Sequence, residues 1–312
     1  MSGAPPTLAP PRKRGGPPRT RTVSRFAPYL FLAPWIIGLV GLTVGPVLAS
    51  LYYSFTDYGL LSAPDFVGFQ NYVDMFHDDR YWNSVVVTLL YVVIGVPLKL
   101  AFALLIAVLL KDATRGMSTY RAIYYVPSLL GGSVAIAILW RQLFGDTGVL
   151  NSLLALVGVD GIAWIADPRT SLSTLIVLEI WQFGSPMIIF LAALRQMPQD
   201  LYDAAAVDGA GKLRRFWHIT IPLLTPIIFF NLILQMIGSF QAFTPSFIIS
   251  QGTGGPVDST LFYTLYLYIQ GFGNLEMGYA SAMAWVLLLA VAAITAGLFF
   301  TARYWVFYGD RG

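Results

Sequence analysis

Long apolar runs dominate this chain and restrict it to folds that a membrane can hold. Six runs are each long enough to cross about 30 Å of hydrocarbon as a helix. They are predicted at Tyr29–Phe55, Asn83–Leu110, Ser118–Leu143, Leu172–Leu194, Ile219–Ser250 and Met277–Phe307. The hydrophobic fraction, 56%, is higher than a globular domain usually contains, and only 11% of the residues are charged. The predicted fold is all-α, a polytopic membrane protein with six transmembrane helices in contact with lipid.

Apart from Lys99 and Arg141, which lie inside predicted spans, the lysines and arginines fall almost entirely on one side of the membrane. The other side has only Arg80 and Arg169. The favoured side has Arg12, Lys13, Arg14, Arg19, Arg21, Arg25, Lys111, Arg115, Arg121, Arg195, Lys212, Arg214, Arg215, Arg303 and Arg311. Because basic loops stay in the cytoplasm, both termini are predicted to be cytoplasmic. The formal net charge of +3 is too small to suggest nucleic acid as a partner.

Composition divides the chain into a tail and one membrane domain. Residues 1–24 are largely proline, glycine and arginine, so they are predicted to be a disordered basic cytoplasmic tail. Residues 25–312 form the predicted six-helix domain. Its external loops, at 57–81, 145–171 and 251–276, contain many aromatic and apolar residues and are predicted to fold as caps. The absence of cysteine excludes disulfides and thiolate metal sites.

The cytoplasmic segment 198–221, between the fourth and fifth predicted spans, is unusually ordered for a loop. Pro198 suits the first position of a short helix, and Gly209 supplies its stop. The sequence Gly209-Ala210-Gly211 predicts a corner. Asp208 can cap a second short helix, which runs over Lys212–Ile221 into the next span. The stretch GAGKL lacks the Ser or Thr that follows the lysine of a phosphate-binding loop, so no nucleotide site is predicted.

This segment resembles the EAA signature of ABC importer permeases, roughly EAA-x2-DGA-x5-F-x2-I-x-LP. The matching residues are Asp203, Ala204, Ala205, Asp208, Gly209, Ala210, Phe216, Ile219, Ile221 and Pro222. Two positions depart from the pattern, since Asp203 replaces the usual Glu and Ile221 the usual Leu. In that family the segment is a coupling helix that docks in a groove of a cytoplasmic ATPase. The resemblance therefore implies an ATPase-coupling role for Asp203, Ala204, Ala205, Asp208, Gly209, Ala210 and Phe216.

A wider resemblance covers nearly everything after residue 25. It includes YLFLAPWIIGLVGLTVGPVLASLYYSFTDY, YRAIYYVPSLLGGSVAIAILWRQLF and GTGGPVDST, which are similar to sugar-importer permeases of the maltose and glycerol-phosphate type. The resemblance implies the type I ABC importer permease fold, a location in a bacterial inner (plasma) membrane and a sugar substrate. It also implies a second homologous permease subunit, a cytoplasmic ATPase dimer and an extracytoplasmic sugar-binding protein as partners. ATP hydrolysis would then belong to the ATPase, so the chain itself is not an enzyme and needs no cofactor.

Ionisable residues at membrane depth are costly, so each is a functional hypothesis. Glu179 lies in the fourth predicted span and Lys99 in the second. Gln182 and Ser185 follow Glu179 at nearly helical spacing, which makes a stripe of carboxylate, amide and hydroxyl suited to a polyhydroxylated solute. The alternative is that Glu179 and Lys99 pair with each other, or with a partner subunit, and simply hold helices together.

A second polar cluster lies in the fifth predicted span. Gln235 and Ser239 are one helical turn apart, and Phe240 and Gln241 are adjacent to them. Gly238 and Pro245 weaken regular helix here, and unwound backbone is tolerated where it lines a cavity. By position, this cluster resembles the part of maltose-type permeases that contacts sugar. The predicted substrate-binding residues are therefore Glu179, Gln182, Ser185, Gln235, Ser239, Phe240 and Gln241, with ordinary contacts between helices as the alternative.

No convergent set of catalytic residues is predicted. His218 and His77 lie on opposite sides of the membrane, so neither a metal site nor a catalytic role is assigned to them. The rival interpretation of the chain is an ion-coupled secondary transporter of a small polar solute, with Glu179 and Lys99 as its coupling pair. Such a transporter would make no use of a cytoplasmic docking corner.

Overall fold

The computed structural model describes Gly3 and residues 27–111 and 117–307. Apart from Gly3, the predicted tail at 1–24 lies outside the described residues, as do Arg25, Arg115 and Arg311. The all-α prediction is confirmed, since the only strands among the described residues form one very short hairpin. The chain divides into two compact units, Met1–Ala49 and Ser50–Gly312.

The first unit contains an apolar helix. α1 (Ala27–Leu39) continues through a π-helical turn (Val40–Val44) into α2 (Gly45–Tyr53), which ends beyond the unit boundary. Large side chains along it are exposed, including Phe31 at 84% and Leu42 at 82%. Apolar surface of this extent is stable in contact with lipid or with another protein.

The second unit begins with the hairpin and continues as helices. The strands β1 (Thr56–Asp57) and β2 (Asp65–Phe66) are antiparallel. The helices are α3 (Gln70–His77), α4 (Asp79–Lys111), α5 (Met117–Leu130), α6 (Val134–Leu143), α7 (Val149–Leu156), α8 (Ser171–Trp181), α9 (Gly184–Arg195), α10 (Gln199–Val207), α11 (Lys212–Arg215), α12 (Ile221–Phe240), α13 (Thr244–Ile249), α14 (Tyr263–Tyr268) and α15 (Met277–Trp305). π-Helical turns at Phe216–Thr220 and Ile269–Gly273 and a 3₁₀ turn at Pro256–Asp258 complete the described elements.

Length and composition identify the candidate membrane spans. Four are continuous helices, Tyr29–Tyr53, Asp79–Lys111, Lys212–Phe240 and Met277–Trp305. Two more are bent pairs, Thr119–Leu130 with Val134–Leu143 at 96° and Ser171–Trp181 with Gly184–Arg195 at 41°. The predicted six spans are thus found if each bent pair counts as one.

The structure adds three details to the predicted spans, some of which are long enough to break. The third and fourth are broken helices, and the continuous helix of the fifth ends at Phe240, before the predicted end at Ser250. Glycine explains the first break, because Gly131 and Gly132 form a turn from which Ser133 caps α6 by accepting a hydrogen bond from the Ile136 amide. Such breaks interrupt helical hydrogen bonding without changing the hydropathy of the run, so an apolar run alone does not reveal them.

α4 is the central helix of the second unit and packs against α8, α9 and α12. The core between these helices is apolar and fully buried, with Tyr91 and Ala103 from α4, Leu178 from α8, Phe190 from α9 and Leu224 from α12. Gly184 allows one close approach, because a Cβ there would lie 2.2 Å from the carbonyl oxygen of Tyr124 in α5. This packing fixes the relative positions of the polar side chains described below.

The three segments predicted as caps are folded. In the second, the Asn151 side chain donates to the carbonyl of Asp146 and accepts from the indole of Trp164, which closes the loop around α7. In the third, Tyr266 donates to Asp78 Oδ2 next to the start of α4. Burial, together with this hydrogen bond to Asp78, raises the pKa of Tyr266, so the phenol stays protonated and remains a donor.

Candidate functional site

Glu179 of α8 is surrounded by donors from two other helices. Lys99 Nζ of α4 donates to Glu179 Oε1 at 3.0 Å. Ser239 Oγ of α12 donates to the same oxygen at 3.0 Å, and Tyr91 Oη of α4 donates to Glu179 Oε2 at 2.9 Å. These four side chains, which we call the Glu179 cluster, are all buried.

Helical geometry explains why α4 supplies two of the donors. Tyr91 and Lys99 are eight residues apart, which is just over two turns, so they share one face of α4 about 12 Å apart along its axis. The Glu179 carboxylate lies between these two side chains, so that Oε1 accepts from Lys99 and Oε2 accepts from Tyr91. Tyr91 was not predicted as a site residue, although its spacing from Lys99 is a signal that could have found it.

The Glu179 cluster is stabilised as a unit. A buried ion pair recovers the cost of leaving water only if further hydrogen bonds satisfy the charged groups. Tyr91 and Ser239 provide those bonds here, one to each carboxylate oxygen. The pairing of Glu179 with Lys99, which the sequence left open as an alternative, is thus found in the structure. The pair joins α4 to α8, and Ser239 joins α12 to α8 through Glu179.

A cavity of about 300 Å³ opens beside the Glu179 cluster. Of the predicted substrate-binding residues it is lined by Glu179, Gln182, Gln235, Ser239 and Gln241. Tyr91, Lys99, Phe243 and Thr244 also line it. The two polar clusters predicted from separate spans therefore meet at one cavity.

Two predicted substrate-binding residues lie elsewhere. Phe240 is buried and lines a separate, apolar cavity with Tyr81 and Tyr263. Ser185 is not among the residues that line the polar cavity, and its backbone amide donates to Ser128 Oγ at 2.7 Å. The helical break between α8 and α9 turns Ser185 off the stripe that a continuous helix would have continued.

Irregular backbone lines part of the cavity, as the sequence predicted, but it begins after Phe240 and not at Gly238. α12 runs regularly through Gly238 to Phe240, and the break covers residues 241–243 before Pro245 helps start α13. The Ala242 carbonyl, which the break leaves without a helical partner, accepts from Thr264 Oγ1. The free backbone group is thus satisfied inside the protein, as membrane depth requires.

Gly131 allows Gln182 to reach the cavity. A Cβ at Gly131 would lie 2.1 Å from Gln182 Cγ, far closer than two non-bonded carbon atoms can approach. The Gln182 side chain donates to the Leu178 carbonyl at 3.3 Å, and its backbone carbonyl accepts from Ser128 Oγ at 3.0 Å. The broken α5–α6 pair and the broken α8–α9 pair therefore meet at this amide.

The predicted corner forms between α10 and α11. Gly209 has φ +78°, and the Ala210 amide donates to the Ala205 carbonyl at 2.9 Å while the Gly209 amide donates to Ala206. This is a Schellman motif, in which glycine takes the left-handed position that other residues adopt at a cost. Asp203, Ala204, Asp208 and Gly209 are exposed, and Ala205, Ala210 and Phe216 are half-buried.

Two details of the predicted corner are wrong. Pro198 precedes α10 as its N-cap residue and is not its first helical residue. Asp208 ends α10 and does not cap the next helix, whose N-cap residue, Gly211, makes no side-chain cap. The predicted continuation of the second helix into the next span is confirmed, because α11 continues through the π-helical turn Phe216–Thr220 into α12.

The two histidines bond to their own helices. His77 Nδ1 lies 2.8 Å from the Val73 carbonyl and His218 Nδ1 lies 3.0 Å from the Arg214 carbonyl. Each contact is to the residue four positions earlier, as on the surface of a helix. Neither histidine borders the polar cavity.

Comparison with known proteins gives consistent matches over most of the chain. The family described as "Binding-protein-dependent transport system inner membrane component" matches residues 73–306. "Probable ABC transporter permease protein YesP" of Bacillus subtilis (strain 168) is 54% identical over 287 residues, covering 91% of this chain and 93% of that protein. "Lactose transport system permease protein LacF" of Rhizobium radiobacter is 33% identical over 281 residues, covering 88% and 93%.

Solved structures agree on the fold. A chain of a bacterial alginate ABC transporter, in complex with an alginate pentasaccharide-bound periplasmic protein, superposes with a TM-score of 0.76. The match covers 88% of this chain and 93% of that one at 21% sequence identity. At this identity the likeness concerns the fold alone.

Proposed function

This chain belongs to the family of binding-protein-dependent transport system inner membrane components, the permeases of ABC transporters, and we propose that it forms the pathway for a carbohydrate in an ATP-driven importer. The observation that carries the proposal is the polar cavity beside the Glu179 cluster. Hydroxyl and amide side chains from three helices converge there, where an all-apolar lining would suffice for packing.

The chemistry of the cavity favours an uncharged polyhydroxylated solute. Gln182, Gln235 and Gln241 each offer both donors and acceptors, which match the hydroxyl groups of a sugar. Phe243 adds an aromatic face against which the CH groups of a sugar ring can pack. Among the described residues that line the cavity, the charged side chains are Lys99 and Glu179, which neutralise each other. One relative named above, LacF, is named for lactose, which is consistent with a neutral saccharide.

The partners follow from the same proposal. A second homologous permease subunit completes the pathway, and an external binding protein delivers the sugar, as the periplasmic protein of the alginate structure suggests. A cytoplasmic ATPase dimer binds the corner at 198–221, where Val207 is 89% and Leu213 72% exposed. Exposed apolar side chains beside a rigid turn are typical of a surface that another protein covers.

The orientation proposed places both termini and the corner in the cytoplasm. Lys111, Arg195, Lys212 and Arg303 lie at or near the ends of spans on that side, in keeping with the rule that basic residues remain inside. ATP binding then closes the ATPase dimer, the corner moves with it, and the cavity opens to the outside to accept sugar. ATP hydrolysis then opens the cavity to the inside again.

Reconstitution tests the proposal. Proteoliposomes would contain the chain with its partner permease and ATPase, ATP on the ATPase side, and the binding protein with a panel of labelled neutral saccharides outside. We expect uptake that requires both ATP and the binding protein. Uptake driven by a proton or sodium gradient without ATP would overturn the proposal in favour of a secondary transporter that uses Lys99 and Glu179 for ion coupling.

A further inference from the structure

Tyr202 of α10 contacts two membrane helices at once. Its ring lies under Lys111, the last residue of α4, with Nζ 4.7 Å from the ring centroid. Its hydroxyl lies 2.9 Å from Thr220 Oγ1, in the π-helical turn that leads into α12. Arg215 Nη1 also donates to the Tyr202 carbonyl at 3.3 Å. One side chain of the corner is thus attached to the ends of α4 and α12.

These two helices are the ones that hold Glu179 from either side. α4 carries Lys99 as well as Lys111, and the helix that contains Thr220 carries Ser239. Twelve residues separate Lys99 from Lys111, about 18 Å along the axis, and nineteen separate Thr220 from Ser239, about 28 Å. The corner and the cavity therefore share two continuous helices.

A proline inside α12, the second of these helices, does not leave its backbone without a hydrogen bond. Pro226 lies inside α12 and has no amide to donate to the Pro222 carbonyl. Thr225 Oγ1 donates to that carbonyl at 2.7 Å, and the Phe307 amide donates to Thr225 Oγ1 at 2.8 Å. The missing backbone hydrogen bond is therefore replaced by a hydrogen bond from the Thr225 side chain. The same hydroxyl binds the backbone just after α15 to α12.

We propose that Tyr202 is the positioning residue that transmits movement of the corner to the Glu179 cluster through α4 and α12. The inference rests on the proposed function, in which the corner follows an ATPase. Movement of α10 displaces the end of α4 through the cation–π contact and the start of α12 through the hydroxyl contact. Lys99 and Ser239 then shift relative to Glu179, which changes the shape of the cavity.

Substitutions that remove only a hydroxyl group can test the contact between Tyr202 and Thr220 without breaking the fold. Tyr202→Phe keeps the ring under Lys111 and removes the hydroxyl, whereas Thr220→Val removes the other half of the same contact at nearly constant volume. Tyr304→Phe is the matched control, because that tyrosine is 76% exposed and its hydroxyl bonds only to its neighbour Arg303 among the described residues.

The measurement is made on the complete transporter in proteoliposomes. Its probe is the labelled neutral saccharide that gives the highest wild-type uptake in the panel above. We expect Tyr202→Phe and Thr220→Val each to lower the solute taken up per ATP hydrolysed severalfold, with ATP hydrolysis and thermal stability near the wild-type values. The double variant should be no worse than Tyr202→Phe, because both remove one shared contact. Tyr304→Phe should match wild type.

Two outcomes separate this inference from the proposed function. Wild-type ratios of uptake to hydrolysis in both Tyr202→Phe and Thr220→Val would overturn the link while leaving the importer intact. A loss of stability that parallels the loss of uptake would also overturn it, since the contact would then be only structural. A wild-type complex without ATP-dependent uptake would overturn the proposed function, and this inference with it.

Discussion

Lys99 Nζ and Glu179 Oε1 lie 3.0 Å apart inside the helix bundle, 80 residues apart in the chain, with both side chains more than nine-tenths buried. The pair borders the polar cavity, so it belongs both to the packing of α4 against α8 and to the lining of the proposed pathway. Structural and functional roles of this pair are therefore not exclusive, and variants at the two positions can separate them.

Neutralising one member of the pair should destabilise the subunit. Glu179→Gln or Lys99→Gln leaves one buried charge without its partner, which typically costs about 3–5 kcal/mol. The double variant should regain much of that stability but transport poorly, because the cavity loses both charged groups. Thermal unfolding of the purified complex and saccharide uptake give the two readouts. Normal uptake by a stable double variant would assign the pair to structure alone.

The cavity amides should contribute to transport individually. Gln235→Ala and Gln241→Ala each remove hydrogen bonds to a bound hydroxyl, which are typically worth about 0.5–1.5 kcal/mol, so uptake should fall severalfold. The defect should persist at saturating loaded binding protein, since that protein's own recognition is unchanged. Gln196→Ala is the control, because Gln196 is exposed at the end of α9 and does not line the cavity. Wild-type uptake in both cavity variants would remove the site from this position.

Ser239→Ala should differ from those two variants. Its hydroxyl donates to Glu179 Oε1, so its loss weakens the Glu179 cluster as well as the lining. We expect lower thermal stability together with lower uptake, whereas Gln235→Ala should lower uptake alone. Measuring both quantities on the two variants in parallel checks the distinction, and equal stabilities would contradict it.

Gly131→Ala should displace Gln182 from the cavity. The new Cβ would meet Gln182 Cγ at 2.1 Å, so the side chain must move or the α5–α6 turn must open. We expect reduced uptake with partial loss of stability. Gly297→Ala in α15 is the matched control, since no atom of the described part of the chain lies within 4 Å of a Cβ there. Gly131→Ala with wild-type uptake would show that Gln182 does not contact the solute.

Gly209→Val should disable the corner while the spans still insert. Gly209 has φ +78°, where a β-branched residue is strained by about 1–3 kcal/mol, although space around the Cβ is open. Binding of the ATPase, or hydrolysis stimulated by the loaded binding protein, should therefore fail. Gly211→Ala is the matched control, because Gly211 has φ −66° and open space. Normal stimulated hydrolysis in Gly209→Val would contradict the docking role of the corner.

The sequence by itself determined the class, the family and the corner. Hydrophobic length identifies spans because the cost of crossing hydrocarbon depends on consecutive residues. The turn at Gly209 was predictable because the preference of glycine for positive φ is a property of the residue itself. The family assignment from the EAA signature is confirmed by the match over residues 73–306.

Only the tertiary structure decided which polar residues meet. The sequence named Glu179 and Lys99 but left their pairing open. Its one signal for Tyr91 was the spacing from Lys99, and it gave no reason to add Tyr202. The sequence grouped Ser185 with the cavity residues because helical spacing continues past a break that hydropathy does not register, and it grouped Phe240 with them because it is adjacent to Ser239, whereas the structure places Phe240 in a separate, apolar cavity. Which faces touch depends on how α4, α8 and α12 pack across long separations in the chain. That packing is set by side-chain shape at close range, such as the missing Cβ of Gly131, and not by any periodic pattern along one helix.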